Sequence, residues 1–452
     1  MTPSPESASD AADAGLRLPS AAGLGGGWRR LVPRGRFARG AAALAGGTAI
    51  GQAIAALSSP LLTRLYTPSD LGRLGIYSAF VSIAGVATSL RYETAIPAAR
   101  GDREAADLTW ASAALSVGVS LVASAVLWAL VRWDLLGYGA LPLWCVPVTA
   151  LGLLLLSLFT VLRYWFIRRG RFDLISRVMV VQSGARVGGQ LGLGLLHLGW
   201  TGLLVAEVLG RAAGLLRMAR QAAPDLLPRR ASPRTRRVRA TLYRHRNFPL
   251  YALPSSALDM AAMMLPLPVI AQLYGPAEAG YFALVQRVVA VPLSLVGASV
   301  ADAFHNRAAE LVRDDPDRLR RFFLRTVGAL TALALPGTLL VMLLGPWLFA
   351  LVFGAQWRTA GELAVLMAPW ALAQLVVSPV SRVVYVTGGQ RMKLVYDVAA
   401  LAAVPATVFA ARHWHLPLAW SVGVVSGLNV LAYLLYFVVL LRVSTTVRSR
   451  SR

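Results

Sequence analysis

Charged residues inside long apolar segments are the positions of this sequence best suited to chemistry. A charged side chain costs ~2.5–3.5 kcal/mol at the centre of a membrane helix, so it usually faces a wet cavity or another charge. Arg91 and Glu93 lie near one end of the second apolar segment, Asp259 lies in the seventh and Arg287 in the eighth. Arginine can hold a diphosphate through two charge-assisted hydrogen bonds, and an intramembrane aspartate can bind a proton or a cation.

A polar stripe occupies the fifth apolar segment. Gln182, Arg186 and Gln190 are spaced by four residues, so they share one helical face. The stripe fits either hydrogen bonding between helices or a polar wall for a sugar or phosphate. Glu207 and Arg211 in the sixth segment are also four residues apart, and we interpret them as a neutralised pair within one helix.

Structural interpretations of the other charged residues stay open. Arg91 and Glu93 could cap the membrane boundary, and Asp259 and Arg287 are equally compatible with packing and with function. The chain has one cysteine, Cys145, so neither an intrachain disulfide nor a cysteine-based metal site is possible. The sequence contains no HExxH, Walker or Gly-x-Ser-x-Gly motif, and its five histidines suggest no metal site. We therefore expect no cofactor and no metal.

The elements that position these residues are membrane-spanning helices. The chain is 56% hydrophobic and only 15% charged, whereas soluble domains are nearer a quarter charged. Its length suits about a dozen spans of ~20 residues. The predicted spans are 42–62, 74–97, 108–131, 141–162, 173–197, 200–218, 250–272, 281–302, 323–350, 361–386, 394–411 and 416–440.

The net charge of +24 follows the predicted topology rather than indicating nucleic-acid binding. Most Lys and Arg residues fall on one side of the membrane, which the positive-inside rule makes the cytoplasm, with both termini there. The other side holds only five: Arg64, Arg73, Arg132, Arg358 and Arg412. We predict a disordered cytoplasmic tail at 1–40, an N-terminal six-helix lobe at 41–218, a basic cytoplasmic linker at 219–247, a C-terminal six-helix lobe at 248–441 and a tail at 442–452. The linker could also contact anionic lipids.

A repeated motif supports the division into two lobes. Residues 64–72 and 272–280 share the pattern Leu-Tyr-x-Pro-x-acid-x-Gly, and each copy separates two apolar segments. A polar hinge repeated in matching halves is typical of transporters built from two related bundles. Four prolines in the seventh span (Pro249, Pro254, Pro266 and Pro268) predict that this span is broken or hinged.

These motifs resemble those of the bacterial polysaccharide biosynthesis flippases of the multidrug/oligosaccharidyl-lipid/polysaccharide (MOP) exporter superfamily. The resemblance covers about 40–440. It rests on Pro60–Gly72 continuing to Arg91–Ile96, and in the second half on Tyr243–Pro249, Pro254–Ser256, Leu273–Tyr281, Gln286–Val288, Pro292–Ser294 and Phe353-Gly354-x-x-Trp357-x-x-Ala360-Gly361.

The resemblance implies an all-α membrane protein of two six-helix lobes around a central cavity. It also implies alternating-access flipping of a polyprenyl-diphosphate-linked oligosaccharide to the outer leaflet of the bacterial inner membrane. Arg91, Glu93 and Arg287 match family positions and become candidate substrate-binding residues. Gln182, Arg186 and Gln190 are added as substrate-binding candidates from the residue argument, as is Asp259 for ion coupling.

Other functions remain as alternatives. A cation-coupled drug exporter would need an aromatic, acidic cavity, and the charges in these spans are mostly arginine. A polymerase or ligase would need a long outer loop rich in Arg and His, which the sequence lacks; we therefore expect no enzyme. Clustered charges in spans seven and eight disfavour a scaffold. Expected partners are the lipid-linked glycan and membrane lipids, with polysaccharide polymerase and chain-length machinery as further candidates and no nucleic acid.

Overall fold

The fold is described from a computed structural model, which describes residues 36–226, 235–292, 297–314, 316–381, 383 and 405–450. Within these ranges the chain forms helices and no β-strand. The helices are α1 (Arg36–Leu65), α2 (Pro68–Ala87), α3 (Asp102–Arg132), α4 (Cys145–Arg168), α5 (Phe172–Leu195), α6 (Gly199–Ala212), α7 (Leu215–Leu226), α8 (Thr235–Arg244), α9 (Leu253–Met264), α10 (Pro266–Tyr274), α11 (Pro276–Pro292), α12 (Ala298–Asp314), α13 (Pro316–Phe353), α14 (Arg358–Val380) and α15 (Leu418–Arg450).

Long apolar helices confirm the predicted membrane fold class. Five described helices are long and apolar enough to cross a membrane, and the number rises to seven if each of two bent pairs counts as one span. The predicted eleventh span, 394–411, lies mostly outside the described residues. The prediction of a disordered tail falls largely on residues 1–35, which also lie outside them.

We refer to α1–α6 as the N-lobe and to α9–α15 as the C-lobe, following the predicted division, which stays a prediction. Within the N-lobe, α1 packs on α5 through glycines, because a Cβ on Gly47 would lie 2.2 Å from the Ser176 hydroxyl and one on Gly51 would lie 2.7 Å from that of Ser183. Small residues allow this close approach of membrane helices. By contrast, a Cβ added to Gly184 of α5 would meet no atom within 4 Å, so this glycine makes no such contact.

The two copies of the repeated motif lie at equivalent helix junctions, between α1 and α2 and between α10 and α11. Thr67 and Asp70 form a capping box at the start of α2, with Asp70 Oδ2 accepting from the Thr67 N–H at 3.0 Å. The motif tyrosines are also matched. Tyr66 donates to the Gln190 carbonyl in α5 at 2.6 Å, and Tyr274 donates to the Leu416 carbonyl beside α15 at 2.8 Å. We call this end of the bundle the hinge end.

The two motifs meet each other across the lobe interface. A Cβ on Gly72 would lie 1.7 Å from the Pro276 carbonyl oxygen, and one on Gly280 would lie 1.9 Å from the Pro68 carbonyl oxygen. The contact is therefore reciprocal, as expected of two related lobes facing each other about a pseudo-two-fold axis. Only glycine allows the two backbones to approach so closely.

Aromatic and amide groups add further contacts between the lobes at the hinge end. In the short 3₁₀ segment Ala355–Trp357, the Trp357 indole N–H donates to the Thr63 carbonyl of α1 at 2.9 Å, and the Gln356 amide donates to the same oxygen at 2.8 Å. Trp357 also packs edge-on against Tyr281 of α11, with ring centroids 5.8 Å apart. One apolar core of buried residues continues from Leu62 and Tyr66 of the N-lobe to Phe282 and Trp357 of the C-lobe.

Two spans are bent rather than straight. The seventh predicted span comprises α9 and α10, which meet at 40°, as the proline cluster predicted. The second predicted span, 74–97, is not one continuous helix. Helix α2 starts earlier and ends at Ala87, and the 3₁₀ segment Tyr92–Ala98 turns away by 52°. Leu90 (φ 50°) and Arg91 (φ 64°) adopt the left-handed conformation at the break.

The stretch predicted as a basic linker contains amphipathic helices. In α7, Leu215, Met218, Ala222 and Leu226 are buried. Helix α8 is tied to the start of α3, because Arg237 makes two hydrogen bonds to Asp107, at 2.7 and 2.8 Å. These bonds raise the pKa of Arg237 above its usual value. Glu104 is held by Arg244 at 3.0 Å and His245 at 3.1 Å. We call this end of the bundle the basic end.

Candidate functional site between the lobes

The most highly charged buried group in the N-lobe centres on Glu207 of α6. Its Oε1 accepts from the Arg211 Nη2 at 3.1 Å and Nε at 3.3 Å, and lies 3.8 Å from Nη1 of Arg186 in α5. Glu207 is 7% exposed. The i, i+4 pair inferred from the sequence is therefore present, but a second arginine from the neighbouring helix shares the same carboxylate oxygen.

Close packing of α5 on α6 brings Arg186 to this carboxylate. A Cβ on Gly210 would lie 2.5 Å from the Cβ of Arg186, and one on Gly189 would lie 3.1 Å from the Cβ of Ala206. Glycine at these two positions removes the side chains that would keep the helices apart. The Gln182 amide adds a bond across the same interface, donating to the Arg211 carbonyl at 3.0 Å.

Arg287 brings a third guanidinium from the C-lobe. Its Nη2 donates to the Ala55 carbonyl of α1 at 2.9 Å, so the side chain reaches across the lobe interface. It is near enough to interact electrostatically with both Arg186 and Glu207. We call Arg186, Arg211, Arg287 and Glu207 the arginine cluster; three positive groups and one negative group give it a net charge of +2.

The cluster lies deep in the membrane region. Arg186 stands nine residues before the end of α5, Glu207 eight after the start of α6 and Arg287 eleven after the start of α11. At 1.5 Å per residue, all three are ~12–17 Å from the hinge end. Half of a ~30 Å hydrocarbon core is ~15 Å, so the cluster lies near the bilayer midplane.

Arg287 also lines a cavity of about 170 Å³ between the lobes. The cavity is bounded by α1, α2 and α11, and its other polar lining groups are Ser59, Thr63 and Ser78. A small, partly polar cavity lined by the Arg287 guanidinium can admit water or an anionic group. Arg211 contributes a further unused donor, because its Nη1 is buried and has no hydrogen-bond partner in the part of the chain that the structure describes.

The cluster unites some of the predicted site residues. Arg186, Arg287 and Gln182 all belong to it or to its supporting contacts. Gln190 is 3% exposed and lies nearer the hinge end, where its backbone carbonyl holds Tyr66. The roles predicted for these side chains in substrate binding stay predictions.

Arg91 and Glu93 lie at the basic end, apart from the cluster. Helix α2 ends at Ala87, 19 residues after its start, so helix rise places that end ~12 Å further from the hinge end than Arg287, and Arg91 follows it. Its Nη2 donates to the Ser256 hydroxyl of α9 at 2.8 Å, and Nη1 lies 3.8 Å from Oε1 of the buried Glu93. Ser89 donates a short hydrogen bond to Glu93. Arg91 therefore joins the two lobes at this end.

Asp259 stands alone among the predicted residues. It lies on α9 and is exposed, about one turn beyond Ser256. Among the described residues, no group of three or more His, Cys, Asp or Glu could hold a metal ion. Cys145 is buried and free, as expected of a packing residue.

The sequence argument did not include Glu207 and Arg211 among the site residues. Their i, i+4 spacing suggested that they neutralise each other, and nothing in a single sequence shows that α5 delivers a second arginine to the same carboxylate. The sequence nonetheless contained a usable signal for this contact. Arg186 lies in one span and Glu207 in the next, and Gly210, near Glu207 on the same helix, favours close packing of the two spans.

Comparison with solved structures defines the class of protein. A multidrug-resistance MATE family transporter of the MOP superfamily in an inward-facing conformation matches with a TM-score of 0.65 at 16% identity, over 89% of this chain and 96% of that one. The lipid II flippase MurJ in an inward closed conformation matches with a TM-score of 0.61 at 10% identity, over 88% and 90%. A MOP superfamily transporter from Pyrococcus furiosus matches with a TM-score of 0.54 at 15% identity, over 92% and 97%. The fold is that of the MOP-superfamily membrane transporters.

A family model identifies the chain more closely. The model of the polysaccharide biosynthesis protein family matches residues 61–362, which is two thirds of the chain. The chain therefore belongs to the polysaccharide biosynthesis protein family, and it is a multi-pass membrane protein with the fold of the MOP-superfamily transporters. No curated protein matches it significantly.

Proposed function

We propose that this protein flips a polyprenyl-diphosphate-linked oligosaccharide from the cytoplasmic to the outer leaflet of the bacterial inner membrane, for the synthesis of cell-surface polysaccharide. The observation that carries the proposal is the arginine cluster. It brings guanidinium groups from both lobes to one place near the midplane, beside a cavity. A ligand held there touches both moving halves of an alternating-access transporter.

The chemistry of the cluster favours an anionic ligand. Guanidinium groups recognise phosphate through planar, paired hydrogen bonds, and they keep their charge in any environment. A diester diphosphate carries one negative charge on each phosphoryl group, which matches the net charge of +2 of the arginine cluster. Binding would therefore neutralise a charge that is otherwise costly at this depth.

The orientation of the protein in the membrane is part of the same proposal. The basic end carries most of the arginines, and the positive-inside rule places such an end in the cytoplasm. Lipid-linked sugars made in the cytoplasm would then meet Arg91 and Ser256 first. The hinge end, sealed by Gly72 and Gly280, would face the outside. Helices α7 and α8 would lie at the inner membrane surface.

The alternative of a cation-coupled drug exporter has the weaker support. The MATE relatives share the fold, but at 16% identity they support nothing beyond it. A cationic drug would be repelled by a cluster of three arginines and one carboxylate, whose net charge is positive. The same cluster offers no nucleophile and no paired acid and base, so we propose transport without bond-making chemistry rather than polymerase or ligase activity.

Replacement of Arg287 tests the proposal. Arg287→Ala should reduce flipping of a labelled polyprenyl-diphosphate sugar in proteoliposomes by roughly ten- to hundredfold, because a hydrogen bond to a charged group is worth ~1.5–3 kcal/mol. Expression and membrane insertion should be unchanged. Arg287→Lys should keep partial activity, because it retains the charge but loses the planar fork.

A matched control uses an arginine outside the site. Arg177 is exposed on α5 and pairs with Asp173 at 2.9 Å, so Arg177→Ala should flip the lipid at the wild-type rate. If Arg287→Ala also does so, the cluster is not the binding site for the diphosphate.

A further inference from the structure

The carboxylate of Glu207 lies between two guanidinium groups of the arginine cluster. One oxygen of this carboxylate accepts hydrogen bonds from both Nε and Nη2 of Arg211 and lies 3.8 Å from Nη1 of Arg186. A phosphate oxygen between two guanidinium groups makes contacts of the same type. Because a carboxylate and a phosphate both accept from arginine, they compete for the same donors.

We propose that Glu207 is an internal counter-ion that the diphosphate of the substrate displaces from Arg211 and Arg186. It is thus a positioning residue, whose task is to hold the arginines in the empty transporter and to return to them when the substrate leaves. This inference rests on the proposed function, since it needs a diphosphate ligand.

The hydrogen bonding of the empty cluster is incomplete, and this supports an exchange. Among the described residues, Arg211 Nη1 is buried with no partner, and Arg287 Nη2 donates to a backbone carbonyl. Buried donors without acceptors are unfavourable. A diphosphate has enough oxygen atoms to satisfy these donors together with those that Glu207 now holds, whereas a single carboxylate has only two.

The burial of Glu207 supports the same role. The side chain is 10% exposed, against 35% for Arg186 and 17% for Arg211. Without its carboxylate, three guanidinium groups would lie together near the midplane with a charge of +3, which is costly at that depth. The carboxylate lowers this cost when the transporter is empty. It also lowers the affinity of the arginines for the substrate, so that the substrate can be released.

The test measures both affinity and turnover. Glu207→Gln should bind a polyprenyl-diphosphate-linked sugar roughly tenfold more tightly than the wild type in detergent, because one competing charge-assisted hydrogen-bond acceptor is gone. Its maximal flipping rate should fall, because release becomes slow. Glu207→Asp, which keeps the charge, should stay near the wild type in both quantities. Unchanged affinity in Glu207→Gln would overturn the proposal.

A charge-matched pair of variants keeps the test decisive if Glu207→Gln does not accumulate in the membrane. The double variant Glu207→Gln/Arg186→Gln has a cluster charge of +2, as in the wild type, and the single variant Arg186→Gln has +1. The double variant should bind roughly tenfold more tightly than the single variant. Equal affinities would show that Glu207 does not compete with the ligand. Failure of the wild type itself to bind the lipid would instead refute the proposed function.

Discussion

At the scale of single residues, the structure separates the intramembrane charges that the sequence singled out. Arg186 lies 3.8 Å from Glu207, and Arg287 of the other lobe is near enough to interact with both, whereas Arg91 and Glu93 lie at the basic end. The sequence could predict which residues are costly in a membrane, because that depends on residue type and hydropathy alone. It could not predict which of them meet, because that depends on how helices rotate and pack.

The predicted role of Asp259 in ion coupling can be tested directly by substitution. We expect Asp259→Asn to remove the dependence of flipping on an ion gradient while leaving basal flipping measurable, because an amide cannot take up a proton or balance a cation as a carboxylate does. The measurement is flipping in proteoliposomes with and without an imposed proton or sodium gradient.

A distant acid provides the control for Asp259. Glu310 on α12 is exposed and pairs with Arg307 at 2.6 Å, so Glu310→Gln should keep the gradient dependence of the wild type. If Asp259→Asn keeps it as well, the carboxylate has no part in coupling and serves only the surface of α9.

At the scale of helices, the prolines and the repeated motif predicted the local geometry well. The bend between α9 and α10 follows from prolines that cannot donate to the preceding turn, and the hinge motifs begin helices because proline suits the first helical turn. The 52° break after α2 had no such signal. Leu90 and Arg91 take up the left-handed conformation although neither is glycine, so tertiary contacts such as that of Arg91 with Ser256 outweigh local preference.

The reciprocal glycine contact leads to a prediction about α2 and α11. Gly72→Ala should prevent closure of the hinge end, because the added methyl group would overlap the Pro276 carbonyl, which is backbone and cannot rotate away. We expect a cysteine introduced at Ser78, which lines the interlobe cavity, to react faster with a membrane-impermeant thiol reagent in this background.

Gly184→Ala is the matched comparison for Gly72→Ala. It is also a glycine inside an N-lobe helix, and alanine raises helix propensity at both sites, but nothing lies within 4 Å of the Gly184 Cβ position. In the Gly184→Ala variant, the cysteine of Ser78→Cys should react with the thiol reagent at the same rate as it does in the protein without a glycine substitution. Equal rates in the Gly72 variant would mean that the two motifs are not a gate.

At the scale of the whole molecule, the lobes are joined at three depths. Gln356 and Trp357 reach Thr63 at the hinge end, Arg287 reaches Ala55 near the midplane, and Arg91 reaches Ser256 at the basic end. Alternating access requires that the contacts at the two ends break in turn. The reciprocal glycine contact and the bonds of Gln356 and Trp357 to Thr63 show that this structure is closed at the hinge end.

A reversible cross-link at the hinge end tests whether that end must open. With Cys145→Ser as background, Thr63→Cys and Gln356→Cys introduce thiols at two residues that touch across the interface, where the Gln356 amide donates to the Thr63 backbone carbonyl at 2.8 Å. A short, cleavable, thiol-reactive linker should reduce flipping to background, and its cleavage should restore flipping.

A second pair, Tyr274→Cys and Ser421→Cys, lies at the same end but within the C-lobe, where the two hydroxyls are 2.5 Å apart. Linking that pair should leave flipping unchanged, because the two residues move together. If the Thr63–Gln356 linkage leaves flipping intact while mass spectrometry shows it to be complete, the lobes do not separate at the hinge end during transport.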